Sequence, residues 1–408
     1  MGRKEGTVST SLLYHVQGIA EFRHVKFDFQ EGAVLWTIRG PRKHVRCPAC
    51  RSRRVSIREY RTRRIRGLPT GERMNILVVE LCRIRCWDCG QELQEPIPFA
   101  DPMKGYTHRL ARYAVELTRH MDVQAVARHL GLHWHTIKEI EKSYLAGKYK
   151  RIPLKKIRKI GIDEIHVGKK KWLTVVLNLE TGEVLFVGKG KDGDCLKPFL
   201  KSLRSAHARV DVVAMDMSKA YTAWVLSNFP QARIVYDKFH VIKMMNERLD
   251  ALRRELQRNL SEDQRRYLKG KRWLLLRARE RLREDHRKDL DEMLAINAPL
   301  AVAYQLKEKL RCLWDEETPK EAETFLADWC GEAKASGIKQ LIKMAETLES
   351  HRDGILAYFD EGGITSARME GFNNKIRWLI KLGYGYRDDE YFILKIYDLP
   401  SKKVQLAA

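Results

Sequence analysis

No stretch of this 408-residue chain stays apolar for the ~18 residues a membrane span needs, which argues against a transmembrane helix. The opening residues, MGRKEGTVSTSLLYHVQG, are basic but lack an apolar core of about 7–15 residues, so no secretory leader is expected. Acidic residues are outnumbered: 53 Asp and Glu stand against 77 Lys and Arg, a net charge of +24. An excess of that size favours a polyanionic partner, nucleic acid first. Internal repeats and low-complexity tracts are also missing. With 44% hydrophobic and 32% charged residues, the chain reads as globular and not disordered, and its length suggests two to four domains. Of eight cysteines, those at 47, 50, 82, 86 and 89 crowd into one stretch while 195, 312 and 330 are scattered. A disulfide scaffold would spread them more evenly, so a reducing, cytoplasmic setting is expected.

Residues 1–100 carry β-formers such as Tyr14, Phe27, Val34, Trp36 and Ile38, and residues 8–40 suggest short antiparallel strands. Between 42 and 66 there are 11 Lys and Arg against one acid, Glu59. Glu95-Pro96-Ile97-Pro98 reads as a linker, because proline blocks both helix and central strand. Residues 101–150 are helical in pattern, and 149–158 form a second, basic linker. From 155 to 240 the order is strand, strand, strand, helix, strand, helix, strand, with Ser218 a candidate N-cap of the second helix. Residues 241–365 are charged amphipathic helix, with Trp273, Trp314 and Trp329 as core anchors, and 366–400 return to the preceding domain.

Cys47-x-x-Cys50 and Cys86-x-x-Cys89 are two knuckles that can present four thiolates to one tetrahedral zinc ion, the mark of a structural zinc ribbon. The long gap between them suits a basic β-hairpin insertion. Free buried thiols are the bland alternative, Cys82 falls outside the knuckle spacing, and His44 is a weak substitute ligand. In DVQAVARHLGLHWHTIKEIEKSYL, Ala127, Gly131, Ile137 and Ile140 have the spacing of a helix-turn-helix, with Gly131 at the tight turn. Its second helix would offer His133, His135, Thr136, Lys138 and Glu139 to a major groove, with Arg51, Arg53, Arg54, Arg63 and Arg64 of the basic arm on phosphates. An ordinary helical hairpin is the alternative. His133 and His135, two apart, do not share a helix face and are not read as a metal pair.

Asp163 interrupts the apolar run KIGIDEIHV and Asp216 ends VDVVAMDMS, where a charge is costly unless paired or metal-bound. The element order resembles the ribonuclease H-like fold, in which the first and fourth strands are neighbours. Adjacent strands lie ~4.8 Å apart, so two inward aspartates there can share divalent ions. Asp237 ends the fifth strand, ~10 Å from the first, and is the weaker candidate. A third carboxylate from a helix is expected at Glu370, with Asn374 and Arg377 one and two turns on. Any one of these acids alone reads more simply as a surface group or cap.

Together the four cysteines, the helix-turn-helix, GIDE at 161–164, MDMSKAY at 215–221, DKFHV at 237–241 and MEGFNNKIR at 369–377 resemble the ISL-three family of bacterial insertion-sequence DDE transposases, over nearly the whole chain. The resemblance implies a multidomain α+β and α/β protein: zinc ribbon, helix-turn-helix and a ribonuclease H-like catalytic domain with a large all-helical insertion. It makes Asp163, Asp216 and Glu370 the catalytic triad, with Asp237 and His240 a supporting D-x-x-H element. It implies two-metal phosphoryl transfer with magnesium or manganese, structural zinc, terminal inverted repeats and target DNA as partners, a homodimer or higher oligomer on DNA, and a nucleoid-associated bacterial setting with no membrane. A transposase-derived DNA-binding regulator and a structure-specific nuclease of the same fold are the rival readings.

Overall fold

A computed structural model describes residues 11–40, 45–168, 171–259, 261–360, 367–383 and 385–401. His44 and residues 363–366 of the glutamate-bearing segment lie outside them. The chain divides into two compact units, residues 1–150 and 151–408. None of the described helices is long and apolar enough to cross a membrane.

The first unit is built on β1 (Arg23–Gln30), β2 (Ala33–Arg39), β3 (Val55–Arg66), β4 (Met74–Cys86) and the short β5 (Glu92–Gln94). The sheet order is β1-β2-β4-β3, with β5 also paired to β4. β1 and β2 form the expected antiparallel pair, but β2 runs parallel to β4, a pairing invisible to local patterning. Before them, Leu13–Gln17 is a helical turn and not a strand; its buried Gln17 holds Leu68 through both backbone groups. β3 and β4 make the long basic hairpin between the knuckles.

Three helices follow: α1 (His108–Leu117), α2 (Val123–Leu130) and α3 (Trp134–Lys148). Thr107 and Asp122 cap the first two by accepting from the Leu110 and Ala125 amides. The zinc-knuckle and helical stretches both lie in the compact unit of residues 1–150. Arg66 of β3 donates to the Leu130 carbonyl at 2.7 Å, and Leu68 packs against the helical core.

The second unit holds a five-stranded sheet of β6 (Lys159–His166), β7 (Trp172–Asn178), β8 (Val184–Lys189), β9 (Val212–Met215) and β10 (Arg233–Tyr236), ordered β10-β9-β6-β7-β8. This is the ribonuclease H-like order. β6, β9 and β10 are parallel, while β7 and β8 run antiparallel. Its helices are α4 (Lys197–Ser205), α5 (Lys219–Asn228), α6 (Lys238–Leu256), α7 (Glu262–Leu268), α8 (Arg272–Leu276), α9 (Glu284–Ala295), α10 (Ala298–Cys312), α11 (Pro319–Ala335), α12 (Lys339–Ser350), α13 (Arg352–Asp360), α14 (Ala367–Leu382) and α15 (Asp389–Asp398).

Strands buried on both faces read as near-continuous apolar runs, and β6 shows why. Ile160 and Ile162 enter one core with Phe199, Tyr221, Val241 and the helical insertion, while Ile165 enters another with Met369, Phe372 and Ile376 of α14. The insertion is therefore continuous with the sheet core. Trp329 is fully buried within it and donates Nε1–H to the Leu306 carbonyl, whereas Trp273 and Trp314 are only half-buried. The basic linker is no free tether: Leu154 and Ile157 are buried in the same core.

Candidate active site and DNA-facing elements

In the first unit the two knuckles are built alike. The Cys47 amide donates to Ser52 O and Arg51 N to Cys47 O; the Cys86 amide donates to Gln91 O and Gly90 N to Cys86 O. Both turns need a left-handed residue at the same place, Arg51 (φ 61°) in one and Gly90 (φ 70°) in the other. The knuckles bring Cys47 Sγ within 3.6 Å of Cys89 Sγ, and Cys50 Sγ within 3.5 Å of Cys86 Sγ. All four sulfurs lie within 4.8 Å of one another, a set able to hold a metal ion. The Cys50 backbone amide donates to the Cys47 sulfur and pulls that thiol down to about 7. Cys82, outside the knuckles, is buried in β4 with its thiol on Glu95.

Arg51, Arg53, Arg54 and Arg64 are exposed. Arg63 departs from the expectation of a phosphate contact: it is half-buried, and its guanidinium donates to the carbonyls of Asp101 and Lys104. Arg54 pairs with Asp88 at 3.0 Å.

In the helical segment, Ala127, Ile137 and Ile140 are buried, and Gly131 takes a φ of 58° between α2 and α3. A Cβ there would meet Met74 Sδ at 2.9 Å, so both backbone and space require glycine. His133 precedes α3 and accepts from the His135 amide as its cap. His135 is exposed; Thr136 and Lys138 are half-buried. Sequence reasoning passed over three exposed aromatics among these basic elements: Trp134, Trp87 with Arg85 over its ring at 5.5 Å, and Tyr60. Aromatics interleaved with arginine were the available signal.

In the second unit the strand register decides which acids meet. Gly161 pairs with Ala214, and the same register continued two residues sets Asp163 beside Asp216. Tyr236 pairs with Met215, and one residue further Asp237 follows beside Asp216. Three aspartates thus share one row across three parallel strands, Asp216 and Asp237 just past the carboxyl ends of β9 and β10 and Asp163 within β6. Asp163 Oδ1 accepts from the Glu164 amide at 2.7 Å, and Oδ2 from Asn373 Nδ2 at 2.6 Å. Burial raises the Asp163 pKa above its ordinary value; His240 opposes that shift, while Asp216 and Asp237 add to it. Asp216 Oδ1 accepts from the Ser218 amide, so it is Asp216, and not the expected Ser218 hydroxyl, that bonds the start of α5.

Asp237 is buried and occupied by structure. Oδ1 caps α6 through the Phe239 amide at 3.1 Å, and Oδ2 accepts from His240 Nδ1 at 2.9 Å. That bond raises the His240 pKa above its usual value, with Asp163 and Asp216 contributing.

Glu370 lies in the first turn of α14 and is exposed. Asn374 and Arg377, expected to accompany it, bond each other on the exposed side. The residue that reaches Asp163 is Asn373, three positions after Glu370. α14 comes close because Gly161 has no side chain: a Cβ there would lie 2.9 Å from Met369 Sδ. Among the described residues, no three acids of this region gather as tightly as the four cysteines.

Zinc-ribbon knuckles, a helix-turn-helix and a ribonuclease H-like sheet with a helical insertion define a multidomain class of protein built on nucleic-acid-binding modules. A family model described as "Transposase", the DDE type of ISL3, matches residues 160–396. Two more, "Helix-turn-helix domain of transposase family ISL3" and "zinc-finger of transposase IS204/IS1001/IS1096/IS1165", match residues 95–145 and 43–89. The chain belongs to the ISL3 family of transposases. It is 36% identical over 355 residues to the transposase for insertion sequence element IS1001 of Bordetella parapertussis, covering 86% of this chain and 87% of that one. To the transposase for IS1557 of Mycobacterium tuberculosis it is 27% identical over 357 residues, 81% of this chain and 80% of the relative. Among solved structures, the Drosophila P element transposase strand transfer complex aligns with a TM-score of 0.43 at 10% identity, over 78% of this chain and 95% of that one.

Proposed function

We propose that this transposase binds the terminal inverted repeats of an insertion sequence and catalyses metal-dependent cleavage and strand transfer there, with Asp163, Asp216 and Glu370 as the catalytic carboxylates. The observation that carries this reading is the aspartate row, with Asp163 and Asp216 side by side on neighbouring strands and the Glu370 helix bonded to Asp163. An all-oxygen donor set beside a buried amide oxygen with no protein partner among the described residues fits hard divalent cations such as magnesium or manganese. Asp163, Asp216 and Glu370 would hold such ions, which would supply acidification of a water or 3′-hydroxyl and stabilisation of a leaving oxygen. The chain's part is to place these carboxylates and to hold DNA against them. Asp237 and His240 support the row without entering the metal set, Asp237 acting as helix cap and imidazole partner.

Cys47, Cys50, Cys86 and Cys89 would hold a structural zinc, for which four thiolates on paired knuckles are the fitting donors. Arg51, Arg53, Arg54 and Arg64, with His135, Thr136 and Lys138 of α3, contact the repeats, phosphates supplying most of the affinity. His133 and Arg63 contribute by shaping these surfaces. The protein acts on repeat and target DNA in a bacterial, nucleoid-associated setting as a homodimer or higher oligomer.

The test is incubation of the purified protein with magnesium and a plasmid carrying the element's ends. Cleavage at those ends followed by joined products supports the proposal. Cleavage without joining leaves a structure-specific nuclease, and binding without cleavage leaves a regulator.

A further inference from the structure

Asn373 is 4% exposed, and its side chain is divided in function. Nδ2 donates to Asp163 Oδ2 at 2.6 Å, while Oδ1 is buried with no hydrogen-bond partner among the described residues. A buried amide oxygen left unpaired costs about 1–3 kcal/mol, so its retention beside a row of aspartates calls for a physical reason.

We propose that Asn373 is a positioning residue of the catalytic centre: it fixes the Asp163 carboxylate through its N–H, and its carbonyl oxygen accepts from a water of a hydrated divalent cation held by Asp163. The inference rests on the metal-site reading above and deepens it. A carboxylate offers about four lone-pair sites, and the Glu164 and Asn373 donors occupy one on each oxygen, leaving the others for a cation. The donor is neutral, whereas a lysine or arginine in its place would compete with the cation for the same charge. Because Asn373 lies three residues after Glu370, its bond also ties the helix bearing the third carboxylate to the strand bearing the first. Groups that orient metal ligands in this way commonly change metal affinity by about 10–100-fold when removed.

The experiment measures manganese binding to the full-length protein, free of DNA, by calorimetry, beside thermal melting and single-turnover cleavage of repeat DNA. Asn373→Ala should bind manganese about 10–100-fold more weakly. Excess manganese should restore its cleavage but not that of Asp163→Asn. Asn373→Ser, which keeps a neutral donor, should recover part of the affinity. Asn373→Leu keeps the branched skeleton of four side-chain heavy atoms without polar atoms and serves if the alanine variant does not fold. A lowered melting temperature with unchanged manganese affinity overturns the proposal, because a purely structural tether would give that result. Manganese binding that is also indifferent to Asp163→Asn overturns the metal-site reading itself.

Discussion

Asp163, Asp216 and Asp237 differ little in sequence context but greatly in what occupies them. Asp237 spends one oxygen on a helix amide and the other on His240, while among the described residues Asp216 accepts the Ser218 amide on one oxygen. Asp163→Asn, Asp216→Asn and Glu370→Gln should each lower cleavage by orders of magnitude with repeat binding near wild type. Asp237→Asn should cost less catalysis and more stability, read as a lower melting temperature. An active Asp216→Asn beside a dead Asp237→Asn would reverse the assignment. Arg51 offers a second test, since it holds the left-handed position that Gly90 holds in the other knuckle. A non-glycine residue there costs about 1–3 kcal/mol, part of which glycine would recover at its own entropic cost. Arg51→Gly should therefore stabilise the first unit by a fraction of that amount while weakening DNA binding modestly, as followed by thermal melting and titration.

Elements meet where a side chain is missing. Gly161 lets α14 approach β6, and an added Cβ would lie 2.8 Å from Leu179 Cδ2 as well as against Met369. Both neighbours are buried, so Gly161→Ala forces a shift of the Glu370 helix rather than a side-chain rotation into solvent. Overpacking of this kind costs about 1–3 kcal/mol. Gly161→Ala should lower the melting temperature of the second unit and reduce cleavage more than repeat binding. In the first unit the knuckles lie at the far end of the β3–β4 hairpin and depend on four sulfurs for closure. Cys86→Ser, or chelation of zinc, should unfold that end and abolish repeat binding while the second unit keeps its melting transition. Zinc-free protein that still binds the repeats would contradict the assignment.

Across the whole molecule the charge of +24 sets the expected binding law. If about 6–10 phosphates are neutralised, affinity should fall by about 10³–10⁵ between 50 and 200 mM salt. Salt-independent binding would count against the basic hairpin and α3 as the DNA-facing elements. The helical insertion changes the stability expected of the catalytic unit, because it shares one core with the sheet through residues such as Val241, Met245 and Tyr304. Truncating buried Trp329 to alanine should cost about 3–5 kcal/mol. Urea unfolding should lose the sheet and the insertion in a single transition.

What the sequence determined by itself is whatever depends on short spacing and composition. The charge excess, the Cys-x-x-Cys pairs, the glycine turn between two small helices and the strand and helix periods are local quantities, whereas the strand order was implied only by resemblance to the ribonuclease H-like fold and is fixed by long-range pairing. What only the tertiary structure decided depends on register, rotation and backbone acceptors. Asparagines 373 and 374 are adjacent in sequence, and helix rotation alone turns one onto Asp163 and the other toward solvent. Arg63 looked like its neighbours until the carbonyls of Asp101 and Lys104 came within reach. The parallel pairing of β2 with β4 and the burial of Leu154 and Ile157 likewise arise from contacts between distant segments, which no local pattern encodes.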